Sequence, residues 1–567
     1  MKRKKIYSIL FSVVIFAFAG CSDFLDTKID RLTTPERVET QRGNLWNFAN
    51  AFYAPLQYGF TIMDNNLFAA ASDEAQQTAA VSNVSYFNKG TINASVNPLS
   101  NLYYYYYEGI RAAYFFLDFA KNGEELLALN RDISSNAQVR LDYSRDVMRL
   151  NWYRAEAKVA IAYYYSELIK MYGGVPVVTT TMDKDPNKGA IPRSSYDQVV
   201  EHIVKLIDDE LDNIQPDWGA TRADGWSIVN QAGRFDKATA LAIKARTLLY
   251  AASPRNNPAN DRNKWIRAAQ AAHDLIEFKK YQMPQNRNYN AYFEGVGASD
   301  NPESIYLIRK AVSNTPETRN YPISTPGGNS GITPTENLVS AYEYIGIPDP
   351  TNPYVNRDPR LAATVVVNGS RWNNREIDQS PGGTDDMTKP NTSRTGYYLK
   401  KFLTDELNLV RDETAHHLWP LYRYAEVLLN YAEAMNEAYD QGPDHKPAGF
   451  TLSAREALMQ VRNAASTSLP AVTTTDRNQF KNAVKHERRI ELAFEDHRYW
   501  DLIRWGDAET VLNKPVQGVK VSKVDGYFRY QVVNVATRTF RSHHYYLPFS
   551  RTEIENSKGT MIQNDGY

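Results

Sequence analysis

The stretch from Glu487 to Gly506 constrains this chain most, because it joins a dense apolar face to a run of alternating charges. Ile490, Ala493, Phe494, His497, Trp500, Ile503 and Trp505 recur at helical spacing, which predicts one amphipathic helix with those residues inward. Gly506 supplies the stop. Glu495, Arg498, Asp501 and Arg504 alternate in sign along one ridge at i, i+3, pairs that contribute about 0.2–0.5 kcal/mol each on an isolated helix. Charges that satisfy one another read as scaffold, since acid/base catalysis by Glu495 or His497 would need a shared cleft and separated pKa values.

Other segments carry the same period. Residues 42–58 place Leu45, Phe48, Ala49, Phe52 and Leu56 on one helical face, with Pro55 expected to end or bend it. A run of five tyrosines, 103–107, leads into a helical segment, and all five cannot be inward together. The longest helical signal spans 143–172 and is closed by Gly173, Gly174 and Pro176. Ser195 is an N-cap candidate for a helix through Leu211. Residues 237–252 with 265–278, and 421–438 with 453–465, form further hairpins whose alanines, such as Ala238, Ala242, Ala425 and Ala432, allow close backbone approach. The hairpins are spaced unevenly, unlike a regular repeat of about 34 residues. Mainly α architecture follows, built of degenerate tetratricopeptide-like hairpins.

From 281 to 416 the chain turns rich in Asn, Pro, Gly and Thr, with turn signals at 325–329 and 380–384. An insertion this long is expected to hold its own short strands, for example at 364–367. Loops set on a rigid scaffold are where recognition residues concentrate.

The N-terminus pairs four basic residues at positions 2–5 with an apolar run to Ala19, shorter than the roughly 20 residues of a bilayer span. Ala19 and Gly20 precede Cys21, the only cysteine, so the spacing resembles a bacterial lipobox, with Phe18 in place of the usual Leu. Lipidation at Cys21 would anchor the chain to a membrane. The acidic residues Asp23 and Asp26 resemble a surface-export signal of Bacteroidetes lipoproteins. The expected organisation is a signal peptide at 1–20, a helical part with ligand-side loops at 21–280, a loop-rich insertion at 281–416, and a helical part with a closing tail at 417–567. Without the signal, 61 Lys+Arg face 65 Asp+Glu, so no polybasic field recruits nucleic acid. Stability must come from core burial, as one cysteine makes no internal disulfide.

No nucleotide-binding glycine loop, HExxH or CxxC pattern is present, and no cofactor is expected. The adjacent pairs His416–His417 and His543–His544 point apart on extended chain and give no metal site. Aromatic residues are abundant on the non-helical segments, Phe87 and Trp218 among them. A pyranose C–H face stacks on such rings while Asn, Asp and Arg meet its hydroxyls. The candidate ligand residues are Tyr86, Asn88, Trp226, Tyr289, Tyr292, Arg309, Trp372, Asn373 and Tyr397.

The run ERRIELAFEDHRYWDLIRWG at 487–506 resembles the C-terminal signature of SusD/RagB-type outer-membrane lipoproteins, with Asp496 where glycine is usual. The Tyr-Gly-Gly-Val-Pro turn at 172–176 and the tail from Tyr545 to Tyr567 resemble the same family. That resemblance implies a non-enzymatic lipoprotein that binds oligosaccharide at the cell surface and delivers it to a partner TonB-dependent channel. The alternatives are a surface glycoside hydrolase with two carboxylates across an aromatic cleft, and a helical-repeat adaptor or peptide-binding relative without a glycan ligand.

Overall fold

The computed structural model describes residues 42–181, 191–218, 231, 233–285, 287–295 and 297–567; the export signal, Cys21 and Trp226 lie outside them. Helix α1 (Arg42–Ala51) buries Leu45 and Ala49 and ends ahead of Pro55. Strand β1 (Ala75–Gln77) and the short helix α2 (Val84–Lys89) follow. In α3 (Ser100–Phe119) the helical period turns Tyr103 and Tyr106 inward and leaves Tyr104 and Tyr105 exposed. Helix α4 (Ala137–Tyr172) runs for 36 residues, opened by Asn136, whose side chain accepts from the N–H groups of Gln138 and Val139. It closes at Gly173, where φ is +74°.

The hairpins expected from the period are formed. Helix α5 (Tyr196–Asp208) begins with a capping box between Ser195 and Gln198, which satisfies two otherwise orphaned N–H groups. Helices α6 (Lys237–Ala252) and α7 (Arg262–Glu277) come next, and the short helix α8 (Tyr289–Phe293) stands at the start of the insertion. Within the insertion, β2 (Ser304–Arg309) and β3 (Ile332–Pro334) are joined by two-residue strands at Val365–Val366 and Tyr398–Leu399, close to the strand expected at 364–367. Strand β4 (Leu418–Arg423) runs into α9 (Tyr424–Ala438), followed by α10 (Ala454–Ala465), α11 (Arg477–Glu491) and α12 (Arg498–Trp505). The ribbon of β5 (Val516–Val524) and β6 (Tyr527–Ala536) comes last. Helices α3 to α7 pack in succession, and α7 then packs on α9, so the array continues across the insertion.

Two expectations are corrected. Residues 421–423 belong to β4, and the helix begins only at Tyr424. Trp419, Leu421 and Tyr422 suit a strand as well as a helix, and antiparallel pairing with β2 decides between them. The stretch 487–506 is two helices. Phe494 and Asp496, with φ of +64° and +60°, break it between α11 and α12. The left-handed conformation at Asp496 explains why glycine is usual there. The inward residues Ile490, Ala493, Phe494, His497, Trp500, Ile503 and Trp505 are all buried nonetheless. The charges do not form one ridge. Asp501 and Arg504 pair as expected at 2.8 Å, but Glu495 pairs with Arg423 and Lys401, and Arg498 with Asp73.

The break lets Glu491 and Glu495 face a buried cluster of cations. Glu491 accepts from Arg287 at 2.7 Å, Arg423 at 2.6 Å and Arg360 at 2.9 Å. Burial opposes its ionisation, but the three guanidiniums outweigh burial and hold the carboxyl far below its ordinary range. Removing one partner of such a cluster leaves uncompensated buried charge. Glu491→Ala is therefore expected to destabilise by about 3–5 kcal/mol in denaturant titration, and a loss below 1 kcal/mol would contradict the cluster's role.

Asp496 behaves oppositely. Burial pushes its carboxyl up to about 7, with Lys170 only partly offsetting it. Between the ordinary value of about 3.9 and about 7, the unfolded chain is ionised there while the folded chain holds the proton. Stability therefore falls as pH rises through that window. Asn tolerates the same backbone and cannot ionise. Asp496→Asn should raise the melting temperature, with a gain that grows from pH 4 to 7 and then levels; a gain constant with pH would refute the assignment.

Candidate functional site

Strand β2 borders two adjoining open clefts, which share Gly233, Arg234, Tyr306, Leu307 and Arg309. Its residues Ile305 to Ile308 are buried, while Arg309, where the strand ends, is exposed. The register against β4 pairs Arg309 with Leu418 and fixes where that guanidinium emerges. The first cleft, of about 440 Å³, is also bordered by Trp218, Tyr281, Asp217, Asp300 and Asn301. The second, of about 390 Å³, is also bordered by Asn50, Tyr53 and Gln231.

The walls are rigid for identifiable reasons. Trp218 donates its indole N–H to the Phe235 carbonyl at 2.8 Å and packs edge-on to Trp152 at 5.7 Å. Arg234 lies 3.7 Å over the Tyr153 ring and donates through Nε to the Glu156 carboxylate at 2.9 Å. Burial works against the Arg234 charge, but Glu156 overcomes it and raises the guanidinium above its usual value. Lys280 lies 3.3 Å from Asp217 and 3.5 Å from Asp236. Burial pushes the Asp236 carboxyl up, and Lys280 works against that shift. The Tyr306 hydroxyl donates to the Gly233 carbonyl at 2.8 Å, which ties β2 to the segment facing it. The half-buried Trp218 ring beside carboxylates, an amide and an exposed guanidinium offers an apolar surface and both kinds of hydrogen-bonding group, in a space of the size ordinary ligand pockets have.

Of the candidate residues, Arg309 lies in this cleft. Tyr86 is exposed on α2, and Asn88 is half-buried, donating to the Ala70 carbonyl at 3.2 Å. Tyr289 and Tyr292 are buried against Phe293; the Tyr289 hydroxyl donates to the Glu491 carbonyl at 2.8 Å and that of Tyr292 accepts from Ser304 at 3.1 Å. Trp372 is fully buried, edge-on to Tyr321 at 5.4 Å. Asn373 sits in a tight turn at φ +47°, bound to Asp405. Tyr397 is buried, with its hydroxyl donating to Glu336. Four rings expected on loops are thus part of the one continuous core, which takes in the insertion together with the helices.

Sequence reasoning had Trp218 among the loop aromatics but did not bring it together with Asp217, Arg234 and Tyr281. These residues come from separate segments, and no local pattern links them. Among the described residues, no group of three or more His, Cys, Asp or Glu is placed to hold a metal ion. Among the same residues, no helix is long and apolar enough to cross a membrane.

Comparison with known proteins places this architecture. Residues 290–567 match the model of the SusD family, and residues 23–235 match a SusD-like model described as starch-binding and associating with the outer membrane. The chain belongs to the SusD/RagB family. It is similar to SusD-like protein P38 of Formosa agariphila, 24% identical over 392 residues, which cover 66% of this chain and 70% of that one. A crystal structure of a SusD-like protein from Bacteroides fragilis aligns with TM-score 0.74 at 21% identity, covering 96% of this chain and 100% of its own. That of a SusD-like carbohydrate binding protein from the same species aligns with TM-score 0.71 at 23% identity, covering 92% and 99%. The mainly α, hairpin-based fold expected from the sequence is the fold of these relatives.

Proposed function

We propose that this protein binds oligosaccharide in the cleft flanking β2, and that it does so as a lipoprotein anchored through Cys21 at the outer surface of the outer membrane. The observation that carries the reading is the cleft itself, where the half-buried Trp218 stands beside Asp217, Asn301 and Arg309. Membership of a family described as carbohydrate-binding and outer-membrane-associated supports it. Binding needs no covalent step. Asp217 and Asp236 both lie against Lys280, an arrangement that suits hydroxyl recognition by charge-fixed acceptors.

Calorimetric titration with a panel of neutral oligosaccharides tests the cleft. At least one is expected to bind, with affinity falling tenfold or more in Trp218→Ala and in Arg309→Ala, while Asn373→Ala binds as the parent does. Binding that survives both cleft variants, or no binding by any member of the panel, would defeat the assignment; released reducing ends would indicate a hydrolase.

Delivery to a TonB-dependent channel completes the proposal. Affinity isolation of the tagged chain from gently solubilised native envelopes should recover a large barrel protein in near-equal amount, and less of it from Cys21→Ala. A lipidated, surface-located chain that recovers no barrel would argue for a stand-alone binder.

A further inference from the structure

Away from β2, a second cavity of about 230 Å³ opens between the ends of α11 and α12 and the base of the β5–β6 ribbon. Arg489, Arg498, Arg538 and Lys514 border it, against a single carboxylate, Asp73. Asp73 is already committed. It accepts from Arg489 at 2.7 Å and from Arg498 at 2.8 Å, and Arg489 also donates to the Asn337 carbonyl at 2.8 Å. Arg538, only 8% exposed, meets no carboxylate within ion-pair distance among the described residues. It donates to the carbonyls of Ser72 and of Ala75, the latter at 2.6 Å, and to the Gln76 side chain at 3.3 Å. The Nε–H groups of Arg489 and Arg538 are buried and have no hydrogen-bond partner among the described residues. Burial lowers the affinity of Arg538 for its proton to a value of about 10, with Asp73 offsetting it only in part, and lowers that of Arg489 as well.

Four cations facing one carboxylate at one cavity describe a site short of negative charge. A buried guanidinium without a counter-ion is costly, and an oxyanion entering the cavity would supply the missing charge. We propose that this cavity binds the oxyanionic group, carboxylate or sulfate, of an acidic sugar unit. The volume admits a single sugar residue rather than a chain, and Lys514 and Ser340 stand exposed at the rim where the rest of a ligand would leave. The inference rests on the reading of this chain as a saccharide binder and adds a second, charge-selective subsite to it.

Calorimetry at low ionic strength, where screening is weakest, tests it with glucuronate, glucose 6-sulfate, inorganic sulfate and glucose on the full chain. Arg538 also holds backbone carbonyls, so variants are placed at the rim: Lys514→Glu reverses a charge, and Ser340→Trp fills the opening. One acidic sugar per chain should bind and glucose should not. Affinity should drop at least tenfold in both rim variants at unchanged melting temperature, and should persist in Trp218→Ala. Neither acidic sugar binding, or binding indifferent to both rim variants, overturns the proposal. Inorganic sulfate binding without either acidic sugar overturns the sugar assignment. Neutral oligosaccharides bound at the β2 cleft with no acidic sugar bound would sink this inference alone; the converse would sink the cleft alone.

Discussion

Glu491 is the point on which the architecture turns. Its carboxylate is shared by Arg287 and Arg360 from the insertion and by Arg423 at the junction of β4 and α9. Arg423 also reaches Glu303 and Glu495, and Arg360 also reaches Asp358 and Glu487. Lys401 closes the set on Glu495 at 2.7 Å. Ions placed this deep gain less than their number suggests, because desolvation offsets most of the Coulombic attraction. Their effect is selective. A register slip of β2 against β4, or a continuous helix through 494–496, would strand several charges at once, so the cluster penalises alternatives more than it stabilises the native arrangement.

That selectivity reaches both proposed ligand surfaces. Glu303 immediately precedes β2, and Arg423 ends β4, so the cluster clamps the start of the ladder at whose far end Arg309 emerges into the cleft. Beyond the cluster, Arg489 on α11 and Arg498 on α12 both pair with Asp73. The two surfaces are therefore fixed by one interior network but differ in chemistry. The β2 cleft has its inner charges matched, through Lys280 with Asp217 and Asp236 and through Arg234 with Glu156, with Arg309 exposed at its edge. The cavity at Arg538 does not.

The helical array was legible because its signal is local. Apolar residues at 3.6-residue spacing, Ser195 as a cap, Gly173 and Gly506 as stops and Pro55 as a limit all act within one or two turns, and each appears where the pattern put it. The break at 494–496 was not legible. Nothing local forbids a helix through Leu492 and Ala493; the left-handed residues are held by partners hundreds of positions away, such as Glu74, whose carboxylate accepts from the Phe494 N–H. The start of α9 was missed for a similar reason, since only the pairing of β4 with β2 distinguishes strand from helix there.

The site was the least legible part, and the tyrosines show why. A ring on an irregular segment is a candidate for stacking only if it is not needed inside, and a sequence does not show how far a long insertion is drawn into the common interior. Tyr289, Tyr292, Trp372 and Tyr397 are spent on that interior, and the hydroxyls of Tyr289, Tyr292 and Tyr397 are matched to a carbonyl, a serine and a carboxylate as burial demands. What remains at the surface is decided by where long-range strand pairing ends. Arg309 was chosen from sequence as a polar partner for loop aromatics, and it reaches the cleft because it ends the apolar strand β2 at the surface. Trp218 and Tyr281 are brought to the same cleft by α6, α7 and β2 acting together. A cleft assembled from a strand end and inter-helix segments in this way is set by long-range packing, so no local pattern in the sequence announces it.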